Sequence, residues 1–103
     1  GDASVAAESA RSAARWDPLA VDPLITLALV EQKLGRNRDA LDTLHTAADL
    51  QPQNYLVHYQ LGLLLERAFD RREQAAAAFR RALELNPLHR ESTYELEALA
   101  AGG

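Results

Sequence analysis

Hydrophobic and small residues recur along this chain at spacings of three and four and never settle into alternation, so the pattern is helical throughout. Val5, Ala6, Ala10, Ala13 and Ala14 mark a helix over residues 3–16. Asp17-Pro18 ends it, because the residue before proline is pushed out of the α region. Asp22-Pro23 starts a second helix, since Asp caps well and proline at the first helical position loses no hydrogen bond. Leu24, Leu27, Ala28, Glu31 and Leu34 follow, and Gly35 stops the helix with Lys33 in its last turn. A third helix, Arg38 to Leu50, turns Ala40, Leu41, Leu44, Ala47 and Ala48 inward and ends at Gln51-Pro52. Asn54 caps a fourth, from Tyr55 to about Ala68, whose apolar side carries His58, Leu61, Gly62, Leu65 and Ala68. The connector 69–72 leads to a fifth, Glu73 to Leu85, with Ala75, Ala76, Phe79, Ala82 and Leu83 inward. The sixth, about Arg90 to Ala100, shows Tyr94, Leu96, Leu99 and Ala100. The loops are short, which makes successive helices antiparallel neighbours.

The same pattern repeats at a shift of about 34 residues. Ala13, Ala47 and Ala82 fall in one column, and Pro18, Pro52 and Pro87 in another. A fixed period of this size means one supersecondary unit stacked along an axis.

These columns resemble the tetratricopeptide repeat (TPR). Residues 21–52 supply Leu24, Leu27, Ala28, Ala40, Leu44, Ala47 and Pro52; residues 55–87 supply His58, Leu61, Gly62, Leu65, Ala75, Phe79, Ala82 and Pro87. The second repeat has one extra residue between Gly62 and Ala75. Residues 3–16 fit a second helix alone, with Ala6, Ala10 and Ala13 in the columns, and 88–101 fit a first, capping helix alone, with Leu96 in place and Glu97 where a small residue is expected. The resemblance implies a single all-α domain over 1–103, a right-handed solenoid of antiparallel hairpins with about six helices. It places Gly62 and Ala28 where the two helices of a hairpin approach closely, against Ala75 and Ala40, with Leu44 and Phe79 filling the gap.

Composition narrows the function more than the fold. At 103 residues, 48% hydrophobic and only 6% aromatic, the chain builds a core of small residues. A net charge of −4 argues against nucleic acid and anionic membrane surfaces, which need a basic stripe. There is no cysteine, hence no disulfide, thiolate nucleophile or Cys-based zinc site. No apolar run approaches the ~18 residues that span a bilayer, so no direct membrane insertion is expected. The chain has no Met and glycines at both ends, as expected of a piece of a longer protein.

Candidate chemistry is thin. His45, His58 and His89 show no ligand spacing. His58 reads as a packing residue, and His45 and His89 as surface or turn residues. Ser4, Ser9, Ser12 and Ser92 lack a Gly-rich elbow, and no glycine loop could cradle phosphate. Glu66, Glu91 and Glu95 read as solvated charge, and Trp16 as packing at a repeat boundary. We expect no enzyme, no cofactor and no metal.

The resemblance implies instead a protein–protein interaction module, a scaffold that receives a partner helix or peptide in a concave groove lined by first helices. Its lining positions here are Asp22, Ile25, Leu29, Gln32 and Lys33, then Leu56, Tyr59, Leu63, Glu66 and Arg67, then Glu91, Tyr94 and Ala98. The expected contacts are the stripe Ile25, Leu29, Tyr59, Leu63 and Tyr94, with Lys33, Glu66 and Arg67 tuning register. Relatives that grip a terminal carboxylate use Lys, Asn and Lys/Arg; the matching positions here hold Ile25 and Leu29, then Gln60, then Glu91 and Glu95, so the clamp is absent and the two glutamates would repel an anion. Self-association through the Ala face of 3–15 is a further expectation.

The texture of residues 13–24 and 50–64 also resembles the TPR tail of bacterial membrane proteins of the O-antigen ligase or polymerase type. That resemblance implies a soluble regulatory or anchoring tail, cytoplasmic or tethered to a membrane protein, with catalysis elsewhere in the chain.

Overall fold

A computed structural model describes residues 22–102, and the helix expected over 3–16, with Trp16 and the first Ala column, lies outside them. The described residues form five α-helices: α1 (Asp22–Lys33), α2 (Asn37–Leu50), α3 (Tyr55–Arg67), α4 (Arg72–Leu85) and α5 (Arg90–Gly102). None is long and apolar enough to cross a membrane. The chain divides into two compact units, Gly1–Pro52 and Gln53–Gly103.

In the first unit α1 packs on α2. Gly35 closes α1 with φ of 77°, a left-handed conformation that glycine adopts without a Cβ penalty. The Gly35 N–H donates to the Gln32 carbonyl at 3.0 Å and the Arg36 N–H to the Glu31 carbonyl at 2.8 Å. This paired closure satisfies carbonyls that the helix end would leave bare. The core is Leu24, Leu27 and Ala28 from α1 with Ala40, Leu41, Leu44 and Ala47 from α2. Glu31 is buried with them, at 2% exposure, and its Oε1 accepts from the Thr43 hydroxyl at 2.6 Å. Leu34, expected on the apolar face, is exposed because it sits in the turn.

The second unit holds α3, α4 and α5, with α4 packed on both others. Asn54 starts α3 as expected, its side-chain oxygen accepting from the Leu56 N–H at 3.0 Å. The extra residue falls in the connection from α3 to α4, where Asp70 takes φ of 53°. Asp tolerates that conformation better than most residues. Ala68, expected inward, is exposed at this turn.

Within the hairpin Gly62 stands directly against Phe79. A Cβ on Gly62 would lie 2.5 Å from the ring's Cε1, and the three nearest atoms all belong to Phe79 rather than to Ala75. Phe79 fills the space the missing methyl leaves and is fully buried. Val57 and Leu64 are also buried, so α3 is covered beyond the repeat columns. Fully burying each such side chain is worth about 1.5–3 kcal/mol.

Asn86 ends α4 and shapes the turn into α5, its Oδ1 accepting from the Leu88 N–H at 3.3 Å. At the far end of α5, Arg72 from the start of α4 donates to the Leu99 carbonyl at 2.7 Å and to the Gly102 carbonyl at 3.3 Å.

Candidate functional site

Tyr59, Leu63, Glu66 and Arg67 follow one another at helical spacing and so share a face of α3. Glu91, Tyr94 and Glu95 do the same on α5. Tyr59, Arg90, Glu91, Tyr94 and Glu95 together line a cleft of about 240 Å³. A neighbouring cleft of about 300 Å³ is lined by Pro87, Leu88, Arg90, Thr93, Tyr94 and Glu97. Tyr94 and Arg90 border both, and Tyr94 stands 69% exposed. Leu63 is half-buried on the same face of α3.

Tyr59 is half-buried at the base of this surface. Its ring meets His89 edge to face at 4.8 Å and lies 6.0 Å from Phe79. Burial raises its phenol pKa, and the nearby Glu95 raises it further, while Arg67 acts in the opposite direction. Glu66 is raised by the same causes in the same order, burial and then Glu95. Its carboxyl hydrogen-bonds Glu95, while its Oε2 is buried without a partner. Two carboxyl groups can share a hydrogen bond only when one carries the proton, which is the direction of the shift. The Arg67 guanidinium lies 3.5 Å from Glu95, whose side chain is only 13% exposed. The expectation of solvated acids therefore fails at Glu66 and Glu95: packing of the second unit withdraws them from water.

His89 is likewise no surface residue. It sits in the turn before α5, yet its side chain is 10% exposed and its ring is edge-on to both Tyr55 and Tyr59. Its Nε2 lies 3.1 Å from Glu91 Oε2 and its Nδ1 2.7 Å from Ser92 Oγ. A ring whose Nε2–H donates to Glu91 leaves Nδ1 to accept from the Ser92 hydroxyl. Carboxylate, imidazole and hydroxyl stand in the order of a nucleophilic triad. Ser92 is completely buried, however, so no substrate carbonyl reaches it. The arrangement locks the start of α5 instead. Among the described residues, no group of three His, Cys, Asp or Glu could hold a metal ion.

On α1, Ile25, Leu29 and Lys33 recur every four residues along one face. Ile25 is half-buried, Leu29 is 46% exposed and Lys33 is exposed. The exposed Leu29 and Tyr94 could be anticipated from the lining columns, whereas His89, Ser92 and the Glu66–Glu95 pair carried no local signal.

No protein-family model matches the chain, and no curated protein matches it. Solved structures do. The first TPR of Spaghetti (RPAP3), bound to the HSP90 peptide SRMEEVD, is 22% identical with a TM-score of 0.85, over 99% of this chain and 80% of that one. The type III secretion chaperone SycD of Yersinia enterocolitica, in complex with a peptide of the translocator YopD, is 16% identical with a TM-score of 0.85, over 99% and 82%. MamA is 23% identical with a TM-score of 0.78, over 93% of this chain and 56% of its own. The chain thus has the fold of TPR proteins, an all-α array of antiparallel helix hairpins. The O-antigen ligase resemblance rests on sequence texture alone.

Proposed function

We propose that this chain is a non-catalytic interaction module that holds a peptide or helix of a partner protein against α3 and α5. The observation that carries this is Tyr94, a large aromatic side chain 69% exposed between two adjoining clefts. With Pro87 and the 88% exposed Leu88 on the adjoining cleft it makes a contiguous apolar surface, the kind that supports an interaction site. Two solved structures of the same fold hold peptides, which supports the reading. Tyr59, Leu63, Arg67 and Tyr94 are the contact residues on this unit, with Glu66, expected among them, packed behind. Ile25, Leu29 and Lys33 form a contact surface of their own on α1. The reading as a non-enzyme is supported by the peptide-binding and chaperone character of those structures and by the burial of Ser92. An anchoring role in a longer membrane-bound glycan ligase or polymerase is a second reading, supported only by the texture of residues 13–24 and 50–64.

The test is selection of immobilised random heptapeptides, followed by affinity measurement on Tyr94→Ala. Tyr94→Ala keeps its helix content and melting temperature but binds the selected peptides more weakly. Undiminished binding would remove the α3–α5 face from the proposal.

A further inference from the structure

Building on the peptide-binding reading, we infer that the cleft between Tyr59 and Tyr94 receives a lysine or arginine side chain of the partner segment, with an aliphatic residue beside it in the second cleft. Glu91 and Glu95 line the first cleft with Arg90, Arg67 pairs with Glu95 from outside the lining, and Glu97 on the second cleft leaves acids ahead of bases by one. Glu91 is 61% exposed, and its carboxylate is held in place by His89 rather than left to swing. Glu95 is fixed from behind by Arg67 and by Glu66. A cation entering here meets the exposed Glu91 carboxylate, the largely buried Glu95 that it shares with Arg67, and two tyrosine rings. Aromatic faces attract cations, more so when partly desolvated. At the base of the cleft burial raises the pKa of both Tyr59 and Glu66, and Glu95 adds to it against the opposing Arg67. At about 240 Å³ the cleft lies below the ~300–1,000 Å³ of small-molecule sites and suits one long side chain.

The second cleft sets what stands next to that residue. Leu88 is 88% exposed on its wall, with Pro87 and Tyr94 beside it. An aliphatic side chain buries that leucine, while Glu97 on the rim adds a further acid. The recognised segment is therefore basic and apolar, opposite in charge to the peptide SRMEEVD held by the RPAP3 domain.

The experiment is fluorescence anisotropy of the 103-residue chain with a positional-scanning heptapeptide library, each position fixed in turn as Lys/Arg, Asp/Glu or Leu. SRMEEVD and its charge-reversed counterpart SRMKKVK serve as defined probes. The expected result is selection of Lys or Arg at one position next to Leu, and preference for SRMKKVK. The double variant Glu91→Gln/Glu95→Gln then binds the selected peptides roughly tenfold more weakly at unchanged helix content. Should that variant lose helix content, Glu91→Gln alone is the readout, because Glu91 is exposed. Peptides that lose affinity on Tyr94→Ala but are acidic, or indifferent to the glutamine substitutions, overturn the cation site and leave the peptide-binding reading standing. If no peptide of any charge binds, both readings fall.

Discussion

In the first hairpin the columns where the two helices close hold Ala28 on α1 and Leu44 on α2, 1% and 0% exposed. In the second the same columns hold Gly62 on α3 and Phe79 on α4. One methyl is removed from one helix and a ring is supplied by the other, and both arrangements bury their pair. The polar fittings differ in the same way. Glu31 and Thr43 hydrogen-bond inside the first hairpin, and their columns in the second are Leu65 and Ala78. The second hairpin keeps its interior apolar, and the withdrawn acids of its unit, Glu66 on α3 and Glu95 on α5, stand beside the clefts. A repeat preserves total volume across a pair of columns, not residue identity at either. Where it places its charge is free to follow the surface it presents.

The largest way to break this comparison is Gly62→Ala, which gives the second hairpin the alanine of the first. Overpacking against the ring, about 3 kcal/mol, outweighs about 1 kcal/mol of gained helix propensity, leaving a net loss of about 2 kcal/mol in urea unfolding. Adding Phe79→Leu completes the exchange and makes the double variant more stable than Gly62→Ala alone. Simple additivity of the two single changes would show that the columns are not coupled.

Next is Thr43→Val, which gives the first hairpin an apolar side chain of similar shape at the position where the second has Ala78. It removes one donor from a buried carboxylate and costs about 1.5 kcal/mol. Because Glu31 has further interactions, an unchanged urea midpoint would mean that these hold it without Thr43.

The smallest effect is on Glu66. Its pKa is raised by burial and by Glu95, against the opposing Arg67 and Arg72, so the folded state binds its proton more tightly than the unfolded chain. Stability from this group is therefore full below the ordinary glutamate range and declines as pH rises through the raised value. Glu66→Gln removes that decline. Melting temperatures of the two proteins across mildly acidic to neutral pH measure it, and parallel curves would contradict the sign.

Helix boundaries were legible in the sequence because their causes are local. Asn54 caps, Gly35 needs its left-handed φ, and the helices stop at or near Pro52 and Pro87. The core columns were legible because burial follows the helical period. The close approach at Gly62 and Phe79 as the filler of the gap were legible, but not that the ring rather than Ala75 meets the glycine, which only side-chain packing decides. The chemistry of the candidate site was hidden for a different reason. A charged residue on a helix face is solvated unless another helix covers it, and Glu66 and Glu95 lie 29 positions apart in the chain. His89, in a polar turn, gave no sign that two tyrosines enclose it.

The grip of Arg72 on the last turn of α5 has its own consequence for how this unit comes apart. Helix ends fray because their final carbonyls have no partner. Here the Leu99 and Gly102 carbonyls are held by a guanidinium rooted in the first turn of α4. Unwinding the end of α5 therefore frees the Arg72 side chain, and Arg72→Ala is expected to speed amide exchange in that last turn.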